Sequence, residues 1–171
     1  MAKWNENTDL VKGDEFNLYL IEITSEDGSY EPASATVLAY ATSCSLQTDS
    51  ESIDTSSKFS CKWASNMGGK ASYTISADAL YTDVSGATSF ETLLKYMVSG
   101  KQVGWVMGKE LEEEGVACAE KSHALDPDQT YYNGLGVIQS VSLEAGNNEI
   151  ASCSLTLNGA GEILIKNAPI A

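Results

Sequence analysis

From Phe16 onward, apolar side chains fall on every second position of one segment after another, and this alternation limits the chain to folds made mainly of strands. "FNLYLIEI" (16–23) places Phe16, Leu18 and Leu20 on one face. "SATVLAYATSCSLQT" (34–48) puts Leu38, Tyr40, Cys44 and Leu46 in phase. "ASYTISADALY" (71–81) does the same with Tyr73, Ile75, Ala77 and Ala79. "QVGWVMG" (102–108), "TYYNGLGVIQSVSLEAG" (130–146), "EIASCSLTLNGAG" (149–161) and "EILIKNAPIA" (162–171) continue the series. In the 149–161 run, Ala151, Cys153, Leu155 and Leu157 share a face. Turn chemistry separates the runs: Asp27-Gly28, "NMGGK" (66–70), "DPDQ" (126–129) and Asn147-Asn148. Gly134 and Gly136 suggest a bulge or bend in the long strand that holds them. "VACAEKSHAL" (116–125) reads as a strand or an irregular crossover.

One segment breaks the period. "TSFETLLKYMVSGK" (88–101) spaces Phe90, Leu93, Leu94, Met97 and Val98 as one face of a helix. Thr88 with Glu91 predicts a capping box, and Gly100 a stop. With no repeat or linker, the expected fold is one mainly-β domain over 1–171, a β-sandwich or barrel, flanked by one amphipathic α-helix at about 89–99.

The charge is unusual. Twenty-four acids face ten bases, for a net charge of −14. All ten bases are lysines, so the planar fork that arginine offers to phosphate and guanine is missing. An acidic chain without arginine is therefore a poor candidate for gripping DNA, RNA or an anionic membrane. The charge either serves solubility or keeps a polyanion from adhering. The start, "MAKWNENTDLVKGDEF", has no apolar signal-peptide core, and no run reaches membrane-spanning length. Synthesis in a cytoplasm as a soluble chain is expected.

Chemistry is sparse. The four cysteines (Cys44, Cys61, Cys118, Cys153) lack metal spacing, and Cys44 and Cys153 read as small core thiols or a cross-strand pair. The single histidine, His123, has no nucleophile elbow to serve. "NMGGK" and "NGLGVI" do not build phosphate loops, "ELEEE" (110–114) reads as a solvated charge run, and "DPDQTYYNG" is not a calcium loop. Expected are no catalytic residue, no metal and no cofactor.

The unexplained segment is "SESIDTSSKFSCKW" (50–63): polar, without glycine or proline, with Ile53, Phe59 and Trp63 as isolated apolar anchors. Such an extension suits a partner's groove better than its own core. Together with "GGKASYTISADALY" (68–81), "LLKYMVSGKQV" (93–103) and "YYNGLGVIQSVSLEAGNNEIASCSLTLNGAGEI" (131–163), it resembles the major tail (tail tube) proteins of long-tailed phages. Residues 108–129 match nothing in that pattern.

The resemblance implies a tail-tube fold with a long central loop at about 48–70. It also implies self-assembly into hexameric rings stacked as an acidic-lumen conduit for DNA ejection. Inter-subunit contacts would come from Ile53, Asp54, Lys58, Phe59 and Trp63. Further partners implied are tape-measure, tail-tip and terminator proteins, with DNA passing unbound and no membrane involved. The protein would reside in the virion tail after synthesis in the host bacterial cytoplasm, its termini (1–14 and 166–171) flexible or ordered on assembly. Three alternatives stand beside it: the tube of a contractile injection or secretion system, a ligand-binding β-sandwich using Trp63, Tyr131 and Tyr132, and a hydrolase using His123.

Overall fold

In the computed structural model the described residues are 12–23, 32, 35–57, 63–82, 88–113, 116–117 and 121–166. Eight strands and one helix follow in order: β1 Phe16–Glu22, β2 Thr36–Val37, β3 Ala41–Asp54, β4 Asn66–Leu80, α1 Phe90–Ser99, β5 Val103–Lys109, β6 Tyr131–Glu144, β7 Ser152–Gly159 and β8 Leu164–Lys166. Asp27-Gly28 lies outside the described residues.

Among the described residues all pairings between these strands are antiparallel, in the order β2-β1-β5-β6-β7-β4-β3, with β8 on β6, and one isolated parallel bridge joins Leu38 to Thr88. The order alone makes the sheet curl. Flat, its first and seventh strands would lie about 29 Å apart. Yet β2 and β3 are joined by residues 38–40 only, a link that spans at most about 14 Å. The edges therefore meet, and the Cys44 thiol on β3 donates to the Phe16 carbonyl on β1 at 3.5 Å. β6 is long enough to serve both halves: Tyr131–Gly136 pairs with β5 and Gly136–Glu144 with β7.

The alternating positions fill the space so enclosed. Leu18, Leu20, Tyr73, Ile75, Ala77, Ala79, Trp105, Cys153, Leu155 and Leu157 form one core with Leu93 of α1. Each large side chain withdrawn from water there contributes about 1.5–3 kcal/mol. On the opposite side of the β1–β5–β6 sheet, Tyr19, Val106, Tyr131 and Leu125 make a second, smaller cluster. Leu125 gives the 108–129 connection a structural role: its described ends are joined by one bridge, Glu110 to Leu125, and since β5 and β6 are neighbouring antiparallel strands, the connection is not a crossover.

Several sequence expectations change. The 34–48 run is not one strand: Ala39-Tyr40 breaks it, and Tyr40 is exposed, with φ +52°. The break lets the chain leave one sheet edge and start the other. The helix is capped by Ser89 without a side-chain hydrogen bond. Thr88 is buried instead, and its carbonyl accepts from Ala39 N–H at 3.2 Å, so no capping box forms. Gly100 does close α1, at φ +65°. Of the apolar stripe, Leu93 is buried and Phe90 and Met97 pack on the core, while Leu94 and Val98 stay exposed.

The β6 bulge falls at Gln139, between the Ile138 and Ser140 pairings, rather than at the glycines. Gly136 is required by close approach, because an added Cβ would sit 2.1 Å from Leu157 Cδ2. Cys44 and Cys153 are free, and β4 lies between their strands. Tyr131 is buried and Tyr132 half-buried, so neither offers an exposed stacking surface.

Candidate functional site

The 48–70 region is a strand ribbon for most of its length, not a loop. β3 and β4 pair in register from Ala41–Ala79 out to Asp54–Asn66. β7 accompanies β4 only over Thr74–Leu80. Beyond that point the hairpin is a two-stranded arm, and the seven residues Thr48–Asp54 of β3 carry it about 24 Å. "NMGGK" is thus strand rather than turn. The reason lies in backbone demand: Ser and Thr alternate without proline, so both strands keep every donor for the ladder.

The arm's root is rigid. The Tyr73 hydroxyl donates to the Leu135 carbonyl at 2.5 Å and accepts from Trp105 Nε1 at 3.3 Å. Its ring lies so close to Gly159 that an added Cβ would come within 2.4 Å of it. Midway, Gly69 and Lys70 oppose Glu51 alone, a bulge that increases local twist. A Cβ on Gly69 would press on Glu51 and Ile53 at 3.0–3.2 Å.

The tip is clasped by its hydroxyls. Thr55 N–H donates to the Ser65 carbonyl at 2.7 Å, and Ser65 N–H donates to Ser56 Oγ at 2.9 Å. Thr55 Oγ1 adds a bond to the Ser65 carbonyl at 3.0 Å. Asp54 accepts Ser56 N–H at 2.8 Å, and hydrogen bonds from Ser56 hold its carboxyl below the usual carboxylate range. The polar letters of "SESIDTSSK" therefore supply turn bonds that the ladder no longer can.

What the arm lacks is cover. From Gln47 to Ser57 and from Trp63 to Ser72, every residue but Gly69 is exposed. Ile53 and Met67 face each other across the ribbon, 45% and 58% exposed, and Trp63 near the tip is 84% exposed. Two strands without a third layer are marginal in water. Lys58 and Phe59 lie outside the described residues. Met67 was missed by sequence reasoning because only the register puts it opposite Ile53.

A second cluster sits beside β1. Asn17 Nδ2 donates to Glu110 Oε2 at 3.0 Å, and His123 Nδ1 lies 3.1 Å from Glu110 Oε1. Asp14, Lys121 and residues 37–41 complete a cleft of about 600 Å³. Among the described residues no serine or cysteine hydrogen-bonds to His123, so the pair has no nucleophile to activate. No group of three metal-binding side chains occurs among them either, and no helix is long and apolar enough to cross a membrane.

A curled β domain with an uncovered arm among its described residues suits a subunit of something larger. The comparisons say which kind: the chain belongs to the phage tail tube protein family, whose model matches residues 11–164. It is a structural tube subunit. Its fold is similar to that of a chain in the tail of an empty gene transfer agent particle with C6 symmetry (TM-score 0.67, 18% identity, covering 92% of this chain and 99% of that one). A chain of the native gene transfer agent virion is similar at TM-score 0.66, 16% identity and the same coverage. The SPP1 tail tube follows at TM-score 0.65, 12% identity, covering 95% of this chain and 81% of that one. No curated protein matches the chain.

Proposed function

We propose that the protein assembles into sixfold rings stacked head to tail, forming the bore through which DNA leaves a virion. The observation that carries this reading is the arm: Ile53, Trp63 and Met67 are held outward on a ribbon whose described residues bury no side chain within their own subunit. The C6 symmetry of the gene transfer agent tail supports the ring number. The net charge of −14 without arginine supports passage of DNA, since a like-charged wall offers the phosphates no partner.

In this reading Ile53, Phe59 and Trp63 bury against a neighbouring subunit, and Lys58 lies at the same contact. Asp54 serves it indirectly, by shaping the tip through Ser56. The subunit acts without catalysis, metal or cofactor. It is made in the host cytoplasm and meets the proteins that set the tube's length and close its ends. The ligand-binding alternative loses Tyr131, which is buried, and keeps Trp63, which is exposed at the arm. Negative-stain microscopy of the pure protein across a concentration series tests the reading: rings or tubes are expected, and a strictly monomeric species throughout overturns it.

A further inference from the structure

The arm needs a socket, and the opposite end of its own sheet carries a second uncovered apolar surface. There the chain segments at 40, 80–81 and 150–151 lie side by side: Leu80 N–H donates to the Tyr40 carbonyl at 3.0 Å, and Tyr81 N–H to the Ala151 carbonyl at 2.8 Å. Their exposed side chains are Tyr40 at 64%, Tyr81 at 41% and Ile150 at 72%. Tyr40 also walls one side of the cleft beside β1, where Val37, Leu38 and Ala41 form the apolar wall and Asp14, Asn17, Glu110, Lys121 and His123 the polar one; at about 600 Å³ it has room for an indole.

Tyr40 is held at φ +52°, a conformation that a bulky residue adopts only under constraint. Hydrogen bonds on either side, Ala39 N–H to the Thr88 carbonyl and Leu80 N–H to Tyr40, supply that constraint. The strain keeps the ring outside the barrel.

Charge selects the occupant. Residues 48–70 hold three acids (Asp49, Glu51, Asp54) and three lysines (Lys58, Lys62, Lys70), a neutral element in a chain of −14. The strands leading to the Tyr40 surface carry Asp78 and Glu144, and Glu149 follows in the β6–β7 turn; in the adjoining cleft Lys121 stands beside Asp14 and Glu110, so the described charges around the surface remain mostly acidic. Two copies of so acidic a chain repel each other over most of their surfaces, but the arm approaches without that cost.

We infer that the surface centred on Tyr40, with Tyr81 and Ile150, receives the arm of a second copy of this chain. The inference rests on the reading of the arm as an inter-subunit element. Arm and socket lie at opposite ends of one sheet, so the contact is head-to-tail and propagates instead of closing as a dimer.

Tyr40→Gly tests it, because glycine accepts the positive φ while removing the ring. The monomer's melting temperature should hold or rise, and the concentration needed for tube formation should rise about thirtyfold, the loss typical of an aromatic anchor. Tyr40→Asn, which also tolerates that conformation, should behave alike. With Trp63 replaced by p-benzoylphenylalanine in assembled tubes, cross-links should reach peptides containing Tyr40, Tyr81 or Ile150 of a different, isotopically labelled copy. Tubes from Tyr40→Gly at the unaltered concentration, or cross-links falling on Leu94 and Val98 of α1, overturn the socket alone. Failure of the unaltered chain to form tubes at any concentration overturns the assembly reading and the socket with it.

Discussion

Excising the arm separates its role in assembly from any role in folding. Thr48 and Tyr73 are register partners, so replacing residues 49–72 by Asn-Gly closes the hairpin with a two-residue turn. It keeps Tyr73 and its bonds to Leu135 and Trp105. Among the described residues removed, none has a buried side chain, and a two-stranded ribbon adds little stability of its own. The melting temperature of the monomer should therefore stay within about 4 °C of the intact protein, equivalent to about 1 kcal/mol or less.

The effect on assembly should be large. Covering Ile53, Met67 and Trp63, now 45%, 58% and 84% exposed, would contribute about 3–6 kcal/mol per contact at about 1.5–3 kcal/mol per fully buried side chain. That corresponds to two to four decades in the association constant of each contact. Sedimentation velocity and microscopy of the excised and intact chains at matched concentrations read it directly. Tubes from the excised chain at the intact chain's concentration would refute the reasoning. A fall of 10 °C or more in melting temperature would show instead that the arm belongs to the folded core.

Two further predictions concern the barrel. Gly136→Ala places a Cβ 2.1 Å from Leu157 Cδ2 and 3.0 Å from the Asn158 carbonyl, so it should cost about 1–3 kcal/mol in urea unfolding. Tyr19 is fully buried, and its pKa is pushed up to about 12 by burial first and by Glu110 second. Asn17 eases that shift only slightly, because its amide is already committed to Glu110 Oε2, and the Tyr19 hydroxyl has no well-formed hydrogen bond. A raised folded-state pKa means the contribution is complete below the unfolded value near 10 and disappears as pH climbs toward 12. Tyr19→Phe should remove that alkaline loss without lowering stability at pH 7, as read from urea midpoints between pH 8 and 11.5.

Much of the interior was legible beforehand because alternation is a local property. Leu18 and Leu20, Tyr73, Ile75, Ala77 and Ala79, and Cys153, Leu155 and Leu157 fall on their core faces by period alone, and all are buried. The helix was legible for the same reason, and so was its stop at Gly100. The central segment was harder to read. Its composition marked it as an outward extension, but Ser-rich strands and Ser-rich loops share an alphabet, and the clasp of Thr55, Ser56 and Ser65 shows both uses within a few residues. Tyr131 and Met67 were misplaced or missed because period 2 says which residues share a face, not what lies against that face.

The sequence by itself determined that this chain is mainly β with an amphipathic helix near 89–99, carries no arginine and has a polar segment with isolated apolar residues that does not fit a core. Those properties follow from side-chain period and charge, which need no knowledge of distant residues. The tertiary structure alone decided that the segment is a paired arm, that Gly136 and Gly159 make room for Leu157 and Tyr73, and that Tyr40 turns outward where the two sheet edges meet. Each of these depends on register between strands far apart in the chain. Register is set by how the whole curled sheet closes, and no local pattern encodes it.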